Sequence, residues 1–280
     1  MFHYLGPAFA VLLFSRIDVL GVAWLRIASA AVVFGLWRRP WRAWHRLPRG
    51  TQLNVVAWGF VLAVMNSCFY IAIDRLPLST VAAIEFIGPI GLGVIGVRTR
   101  RNALALLLAA SGVYVLTDIR IVAEPIGLVF AFANAALFTL YIVLGHRAAE
   151  LGASSGIDLL GLSMLIAAVV ATPWGIWDAG PGLLDPIALA AGVGVGVSSS
   201  VIPYVSDQLA LARLARSTYA LFVSLLPATA TVVGIVVLRQ VPSVVEVAGI
   251  CLVIAGVAVH QEQKERVVEA PSSTTIEATM

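Results

Sequence analysis

Apolar residues occur along the chain in ten runs, separated by short polar or turn-forming stretches. Most runs are about 20 residues long, which is enough for a helix across a bilayer core of roughly 30 Å. They are too long and too continuously apolar for the alternating strands, about 10 residues each, of a membrane barrel. The pattern predicts membrane-spanning helices over positions 2–15, 19–37, 53–73, 77–97, 102–118, 126–145, 157–177, 186–208, 216–238 and 243–260.

Composition supports a membrane protein without a soluble domain. Of the 280 residues, 60% are hydrophobic and only 12% are charged, and the mean hydropathy is +0.96. A soluble domain carries about 25% charged residues. The net charge of +3 comes from arginines in short loops, so we expect contact with the lipid bilayer and no nucleic-acid partner.

The distribution of basic residues predicts the orientation. With the N-terminus inside, four basic residues fall on the outer side: Arg16, Arg75, Arg120 and Arg239. Thirteen fall on the inner side: Arg38, Arg39, Arg42, Arg46, Arg49, Arg98, Arg100, Arg101, Arg147, Arg213, Arg216, Lys264 and Arg266. By the positive-inside rule, both termini are cytoplasmic.

The two ends of the sequence differ from the rest. The first run covers 14 positions, 2–15, fewer than the ~20 that a span needs. We expect either that the recorded start lies inside helix 1 or that this helix is unusually short. The tail over 261–280 is polar, contains Pro, Ser and Thr, and is predicted to be disordered.

Helices 4 and 9 resemble each other in sequence. "LPLSTVAAIEFIGPIGLGVIG" and "LARSTYALFVSLLPATATVVG" align with a constant offset of 138 residues, which matches Ser-Thr pairs and places Pro89 opposite Pro227. Hydrophobicity alone would not match these residues. The sequence therefore predicts a duplication, with one five-helix unit over 1–118 and a second over 125–260.

An odd number of helices per unit means that the second unit enters the membrane in the opposite sense. We therefore expect an all-α integral membrane protein with about ten helices in two inverted five-helix repeats. In such transporters the two halves rock around a site near the bilayer midplane. Duplication with inversion favours alternating-access transport over catalysis.

The stretch "MNSCFYIAIDRLPLSTVAAIEFIGPIG" closely resembles the bacterial threonine/homoserine exporters, in the EamA branch of the drug/metabolite transporter superfamily. The resemblance rests on residue pairs such as Met65-Asn66, Glu85-Phe86 and Gly88-Pro89, and it continues at Pro203-Tyr204 in the second half. It implies ten helices, a location in the bacterial inner membrane, and efflux of small amino acids or related metabolites, driven by protons.

The chain also departs from that family. Asp207 stands where the family tends to have Glu, and Leu226 precedes Pro227 where the exporters usually have Glu. One acidic site is therefore absent, which leaves the substrate and the coupling ion open.

Glu85 is the only charged residue between positions 76 and 97. A charge at mid-bilayer costs about 2.5–3.5 kcal/mol on insertion scales, so Glu85 should face a cavity or a partner. Desolvation favours its neutral form, so it could exchange a proton as the cavity opens to either side. We expect Gly88 and Pro89 to break the helix one turn on, and Pro227 to break helix 9 at the equivalent position. The alternative is a structural pair with Arg26, the one arginine inside helix 2.

Two polar stripes accompany Glu85. Ser200, Tyr204 and Asp207 follow an i, i+4, i+7 pattern on helix 8, and Asn66 and Tyr70 form an i, i+4 pair on helix 3. Their equivalent places in inverted halves predict the walls of one pathway. The alternative for each residue is an interhelical hydrogen bond, worth about 0.6 kcal/mol on average.

Other candidate chemistry is weaker. Asn134 and Tyr141 share a face of helix 6 at i, i+7 and are lesser candidates. The four histidines lie at segment ends or in loops without metal-ligand spacing. "GVGVGVSSS" over 192–200 lacks the strand that a dinucleotide motif needs. We therefore expect no metal and no cofactor.

The sequence thus predicts a secondary active exporter of small polar metabolites, most simply amino acids such as threonine and homoserine. The same fold moving drugs or nucleotide sugars is an open alternative. An intramembrane enzyme is disfavoured, because no Asp-rich motif appears and no histidine lies mid-helix beside a serine nucleophile. A homodimer is compatible with the sequence, which leaves the oligomeric state open.

Overall fold

The computed structural model describes residues 2–88, 90–91, 99–120, 124–149, 151, 153–206 and 226–259, and regular structure in these ranges is helical. The α-helices are α1 (Phe2–Leu13), α2 (Val19–Arg38), α3 (Arg49–Arg75), α4 (Leu78–Glu85), α5 (Arg100–Arg120), α6 (Pro125–Ala149), α7 (Ala153–Ala179), α8 (Pro186–Gly196), α9 (Leu226–Leu238) and α10 (Val244–Val259). There are also 3-10 turns at Pro40–Arg46 and Gly180–Leu184, and a π-helical turn at Val197–Val201.

Five helices in the described ranges are long and apolar enough to cross a membrane. They are α2, α3, most of α6 and α7, and the continuous helix Pro186–Ser206, which contains α8 and the π turn. Large apolar side chains such as Val32, Leu36 and Val169 are exposed on these helices, which suits contact with lipid. The helices α1, α9 and α10 are shorter, and α1 has 12 residues.

The predicted fourth span is interrupted near its middle. α4 ends at Glu85, Phe86 forms a turn, and helical geometry resumes at residue 87. The break comes before the expected position at Gly88 and Pro89 because a proline removes the hydrogen bond to the carbonyl four residues earlier. Pro89 has no N–H, so the carbonyl of Glu85 lacks its helical donor. Pro89 itself lies outside the described residues.

Helices of the first half pack mainly on helices of the second half. α2 packs on α7, α4 on α9, and α5 on α10. The smaller contacts of α4 with α10 and of α5 with α6 have no equally large equivalent in the described ranges, but the larger cross-half contacts also come in matched pairs: α3 with α6 and α1 with α8, α3 with α7 and α2 with α8, and α4 with α6 and α1 with α9. Exchanging each helix n with n+5 therefore reproduces these contacts.

Small residues set the closest of these crossings. A Cβ added to Gly112 on α5 would lie 2.5 Å from the carbonyl oxygen of Gly249 on α10, and one on Gly256 would lie 2.7 Å from the carbonyl oxygen of Ala105. Apolar packing gives helices no hydrophobic advantage over lipid, so close backbone approach through small residues holds such pairs together.

Candidate functional site

Glu85 lies at the end of α4 and is buried, with 9% of its surface exposed. Its carboxylate accepts hydrogen bonds from two side chains distant in sequence. The Tyr4 hydroxyl on α1 donates to Oε2 at 3.3 Å, and the Asn134 amide on α6 donates to Oε1 at 3.1 Å. Both of these donors are neutral, and they come from the first and the second half of the chain. We call Glu85, Tyr4 and Asn134 the acid subsite.

The contact of the α4 region with α6 depends on a glycine. A Cβ at Gly88 would overlap the Thr139 hydroxyl and lie 3.1 Å from the carbonyl oxygen of Ala135 on α6. Because Gly88 allows this approach, Glu85, one turn earlier, comes within reach of Asn134. Gly88 thus acts here through close packing.

Arg26 forms the second polar centre. It is buried on α2, with 6% exposed. Its Nε–H donates to the Ser200 hydroxyl at 2.8 Å, and its Nη2–H donates to the Ser199 carbonyl at 3.0 Å. Its Cζ lies 5.6 Å from the centroid of the Tyr70 ring, within the range of a cation–π contact. We call Arg26, Ser199, Ser200 and Tyr70 the arginine subsite.

The π turn explains why the Ser199 carbonyl accepts from Arg26. The residue four positions later is Pro203, which has no N–H to donate. The widened turn adds an i→i+5 bond, in which the N–H of Ile202 donates to the Val197 carbonyl. Such π turns are frequent at functional sites. Local sequence therefore leaves an acceptor facing α2.

Tyr70 is enclosed by aromatic rings. Its ring makes edge-on contacts with Phe14 and Phe69, with centroids 6.1 and 5.9 Å away. Its hydroxyl is buried beside Arg26 and Ser199, but it makes no hydrogen bond of ordinary length and angle to the described residues. A buried hydroxyl without a well-formed hydrogen bond is uncommon in folded proteins and calls for an explanation.

The N-terminal helix connects the two subsites. Tyr4 donates to Glu85, while a Cβ at Gly6 would overlap the Ser199 side chain. Two residues along a helix correspond to a rise of about 3 Å. Residues i and i+2 point to different faces of a helix, so α1 lies between or beside the two subsites, and the charge of Glu85 acts on Arg26 across this region.

The structure brings together some of the residues that the sequence grouped. Tyr70, Ser200 and Arg26 meet in the arginine subsite. Asn66 is buried and donates to the Leu62 carbonyl of its own helix at 2.7 Å. Asp207 lies outside the described residues, and Pro227 lies in the first turn of α9 as described.

Tyr204 belongs to a cluster of aromatic rings. Its centroid is 5.8 Å from that of Tyr141 on α6, and Tyr141 also contacts Trp58 and Phe138, at 5.7 and 5.9 Å. Tyr141, a lesser candidate in the sequence, therefore links α3, α6 and the helix that contains Tyr204.

The described hydrogen bonds of Glu85 and Arg26 go to different partners, while the charge of Glu85 still acts on Arg26. Arg26 donates to serine oxygens of the π turn, and Glu85 accepts from Tyr4 and Asn134. The sequence interpretation missed Tyr4 and Ser199. The signal for Ser199 was Pro203, four residues later.

Glu246 shows how a buried carboxylate serves structure instead. Its Oε2 accepts from the backbone N–H of Ser243 at 2.8 Å, and its own N–H donates to the Ser243 hydroxyl at 3.3 Å. This reciprocal arrangement is the capping box that starts α10. Glu85, at the end of a helix, has no such role.

Two ion pairs join the halves at opposite ends of α2. Arg16, just before α2, contacts Asp185 at 2.9 Å, and Arg38, its last residue, contacts Asp158 at 2.7 Å. The hydrogen bond from Arg16 and the backbone N–H of Ile187 lower the pKa of Asp185 from its ordinary value of 3.8.

Fold and site together define an α-helical, multi-pass membrane protein with buried polar groups drawn from both halves of the chain. Residues 125–260 match the EamA-like transporter family. The chain is 30% identical over 253 residues to the threonine/homoserine exporter RhtA of Salmonella typhimurium (strain LT2). The aligned region covers 89% of this chain and 84% of the exporter. It is 29% identical over 254 residues to RhtA of Escherichia coli (strain K12), with the same coverage.

A crystal structure of another protein superposes on this chain with a TM-score of 0.60 and 19% sequence identity. The superposition covers 91% of this chain and 94% of the other chain, and at this identity it shows a shared fold only. The chain belongs to the EamA-like transporter family and is similar to the threonine/homoserine exporters. Members of this family are transporters rather than enzymes.

Proposed function

We propose that this protein exports small amino acids, threonine and homoserine among them, by proton antiport with alternating access. The observation that carries the proposal is the buried carboxylate of Glu85 between Tyr4 and Asn134. Both described donors to Glu85 are side chains of other helices, α1 and α6, whereas Glu246 accepts from the backbone at the start of its own helix. An intramembrane carboxylate without a capping role is by default a functional group.

The chemistry of the acid subsite suits alternate occupation by a proton or a substrate amine. A carboxylate accepts hydrogen bonds from an ammonium group, whereas the protonated acid donates one. The Tyr4 hydroxyl can donate or accept, so it adjusts to either state. One group that carries a proton in one direction and an amine in the other accounts for antiport.

The exchange symmetry of the helix contacts supports two inverted repeats. Contacts such as α3 with α6 and α1 with α8 are equivalent when each helix n is exchanged with n+5. The family match over 125–260 coincides with the stretch proposed as the second repeat. In this proposal the two halves rock about the acid and arginine subsites.

The proposed orientation follows the basic residues of the sequence. Both termini face the cytoplasm of a bacterial cell, and the protein resides in the inner membrane. Export then moves the substrate from the side that carries the loop over residues 38–50.

Reconstitution tests the function. Proteoliposomes containing the purified protein should exchange radiolabelled threonine for internal threonine or homoserine, and an imposed pH gradient should drive net uphill movement. The control is the same vesicles with a protonophore, which should exchange but not accumulate. Vesicles that neither exchange nor accumulate either amino acid would contradict the proposal.

A further inference from the structure

The buried guanidinium of Arg26 has neutral acceptors. Its described hydrogen bonds use Nε and Nη2, and they end on a hydroxyl and a backbone carbonyl. Both acceptors belong to the π turn, so Arg26 on α2 reaches the other half of the chain. Charged side chains inside a membrane usually pair with an opposite charge or line a cavity.

A planar guanidinium binds a carboxylate in a bidentate manner more strongly than it binds neutral oxygens. The Ser200 hydroxyl and the Tyr70 hydroxyl, which makes no well-formed hydrogen bond to the described residues, lie beside the same cation and can each donate to an anion. The arginine subsite therefore has the donors that a carboxylate needs.

The acid subsite next to it supplies the opposite charge. Both subsites contact α1, through Tyr4 and Gly6, and the charge of Glu85 acts on Arg26. A zwitterion carries an ammonium and a carboxylate separated by one carbon. The two subsites therefore offer a cation for a carboxylate and an anion for an ammonium, the two charges of an α-amino acid.

We propose that Arg26, with Ser200 and Tyr70, is the receptor for the substrate α-carboxylate, while Glu85 takes the ammonium. This inference rests on the proposed function and specifies how the substrate class is chosen. A bound carboxylate replaces the serine oxygens on Arg26, which releases the link between α2 and the π turn. The carboxylate is therefore both a specificity determinant and the group that loosens a contact between the halves.

The experiment compares L-threonine with L-threoninol, which keeps the amine and hydroxyl but lacks the carboxylate. Each is tested for inhibition of labelled threonine exchange in proteoliposomes and for stabilisation of the purified protein against heat. In the wild type, threoninol should act about 10- to 100-fold more weakly than threonine, the loss expected for a hydrogen-bonded charge. Equal potency of the two compounds would overturn the inference.

Variants separate recognition from structure. Arg26→Gln should remove the preference for threonine over threoninol. The matched control, Arg38→Gln, removes another arginine of α2, which pairs with Asp158, and should keep the preference. If Arg26→Gln does not accumulate, Arg26→Lys keeps the charge without the planar fork and should weaken threonine about 10-fold. A preference unchanged in the tested Arg26 variant would contradict the proposal.

A binding measurement tests the carboxylate site separately from transport. A wild type that exchanges no amino acid contradicts the proposed function, and heat stabilisation by acetate, compared with chloride at equal ionic strength, then decides the carboxylate site. Stabilisation by acetate that the Arg26 variant loses supports the site. Absence of such stabilisation overturns it.

Discussion

Gly196 offers a direct test of the crossing between α2 and α8. It is the last residue of α8, just before the π turn that holds Ser199 and Ser200. A Cβ added there would overlap the Ser29 hydroxyl and lie 2.8 Å from the backbone oxygen of Arg26. The backbone of Arg26 cannot move aside without moving α2, so Gly196→Ala should separate the two helices.

The size of the effect follows from two opposing terms. Alanine gains about 0.5–1 kcal/mol over glycine within a helix, whereas forcing an extra methyl group into a packed interior costs about 1–3 kcal/mol. Gly194 lies on the same helix, and a Cβ there meets nothing within 4 Å. Gly194→Ala should therefore gain the helix preference of alanine without a packing clash. The free energies of unfolding of the two variants should differ by about 1–3 kcal/mol.

Thermal unfolding in detergent, followed by tryptophan fluorescence, measures the difference. Gly194→Ala should unfold at or above the temperature of the wild type, and Gly196→Ala should unfold below Gly194→Ala. Exchange activity should fall only in Gly196→Ala, because its altered crossing displaces Arg26 from the π turn. Equal unfolding temperatures for the two variants would refute the argument from close packing.

Three further outcomes are expected. Asp185→Asn keeps the acceptor that caps α8 but loses the ion pair to Arg16. The fold lowers the pKa of Asp185 below 3.8, so the wild type should be more stable than the variant above pH 3.8. This difference in stability should vanish as the pH falls through the lowered pKa. Gln240→Ala removes the acceptor for the backbone N–H of Leu78 at the start of α4, 3.2 Å away, and should cost about 0.5–1.5 kcal/mol in thermal unfolding, whereas Gln240→Glu, which keeps an oxygen, should cost less. Trp44→Cys, with both native cysteines replaced by serine, should resist impermeant maleimides in intact cells and react after permeabilisation; labelling in intact cells would contradict the proposed orientation.

Much of the fold follows from hydrophobic pattern alone. The predicted span 53–73 lies inside α3, and 157–177 lies inside α7, because long apolar runs have few alternatives to a membrane helix. The ends differ by a few residues, since charged and polar residues extend helices into the interface. The break at Phe86 was predicted only approximately, because the effect of a proline appears four residues earlier in the chain.

The sequence predicts the residues of the candidate site better than it predicts their partners. Arg26, Tyr70 and Ser200 stand out as polar residues in apolar runs, and the structure brings them together. The partners of Glu85 do not stand out, because Tyr4 and Asn134 reach it only through the packing of α1 and α6 against α4. Periodicity assigns a residue to a helix face, but it does not say which helix covers that face. Asn66 illustrates the opposite case, since its polar group is satisfied within α3.

The central claim is that Glu85 carries the proton, and transport by Glu85→Gln in proteoliposomes tests it most directly. The matched control is Glu246→Gln, which alters the other buried carboxylate of the described residues while keeping an acceptor for the capping box. We predict that Glu85→Gln accumulates normally and loses uphill transport driven by a pH gradient, while its threonine exchange needs a higher threonine concentration because the ammonium has lost its charged partner, and that Glu246→Gln retains uphill transport and wild-type exchange. A Glu85→Gln protein that still drives uphill transport at the wild-type rate would contradict the account.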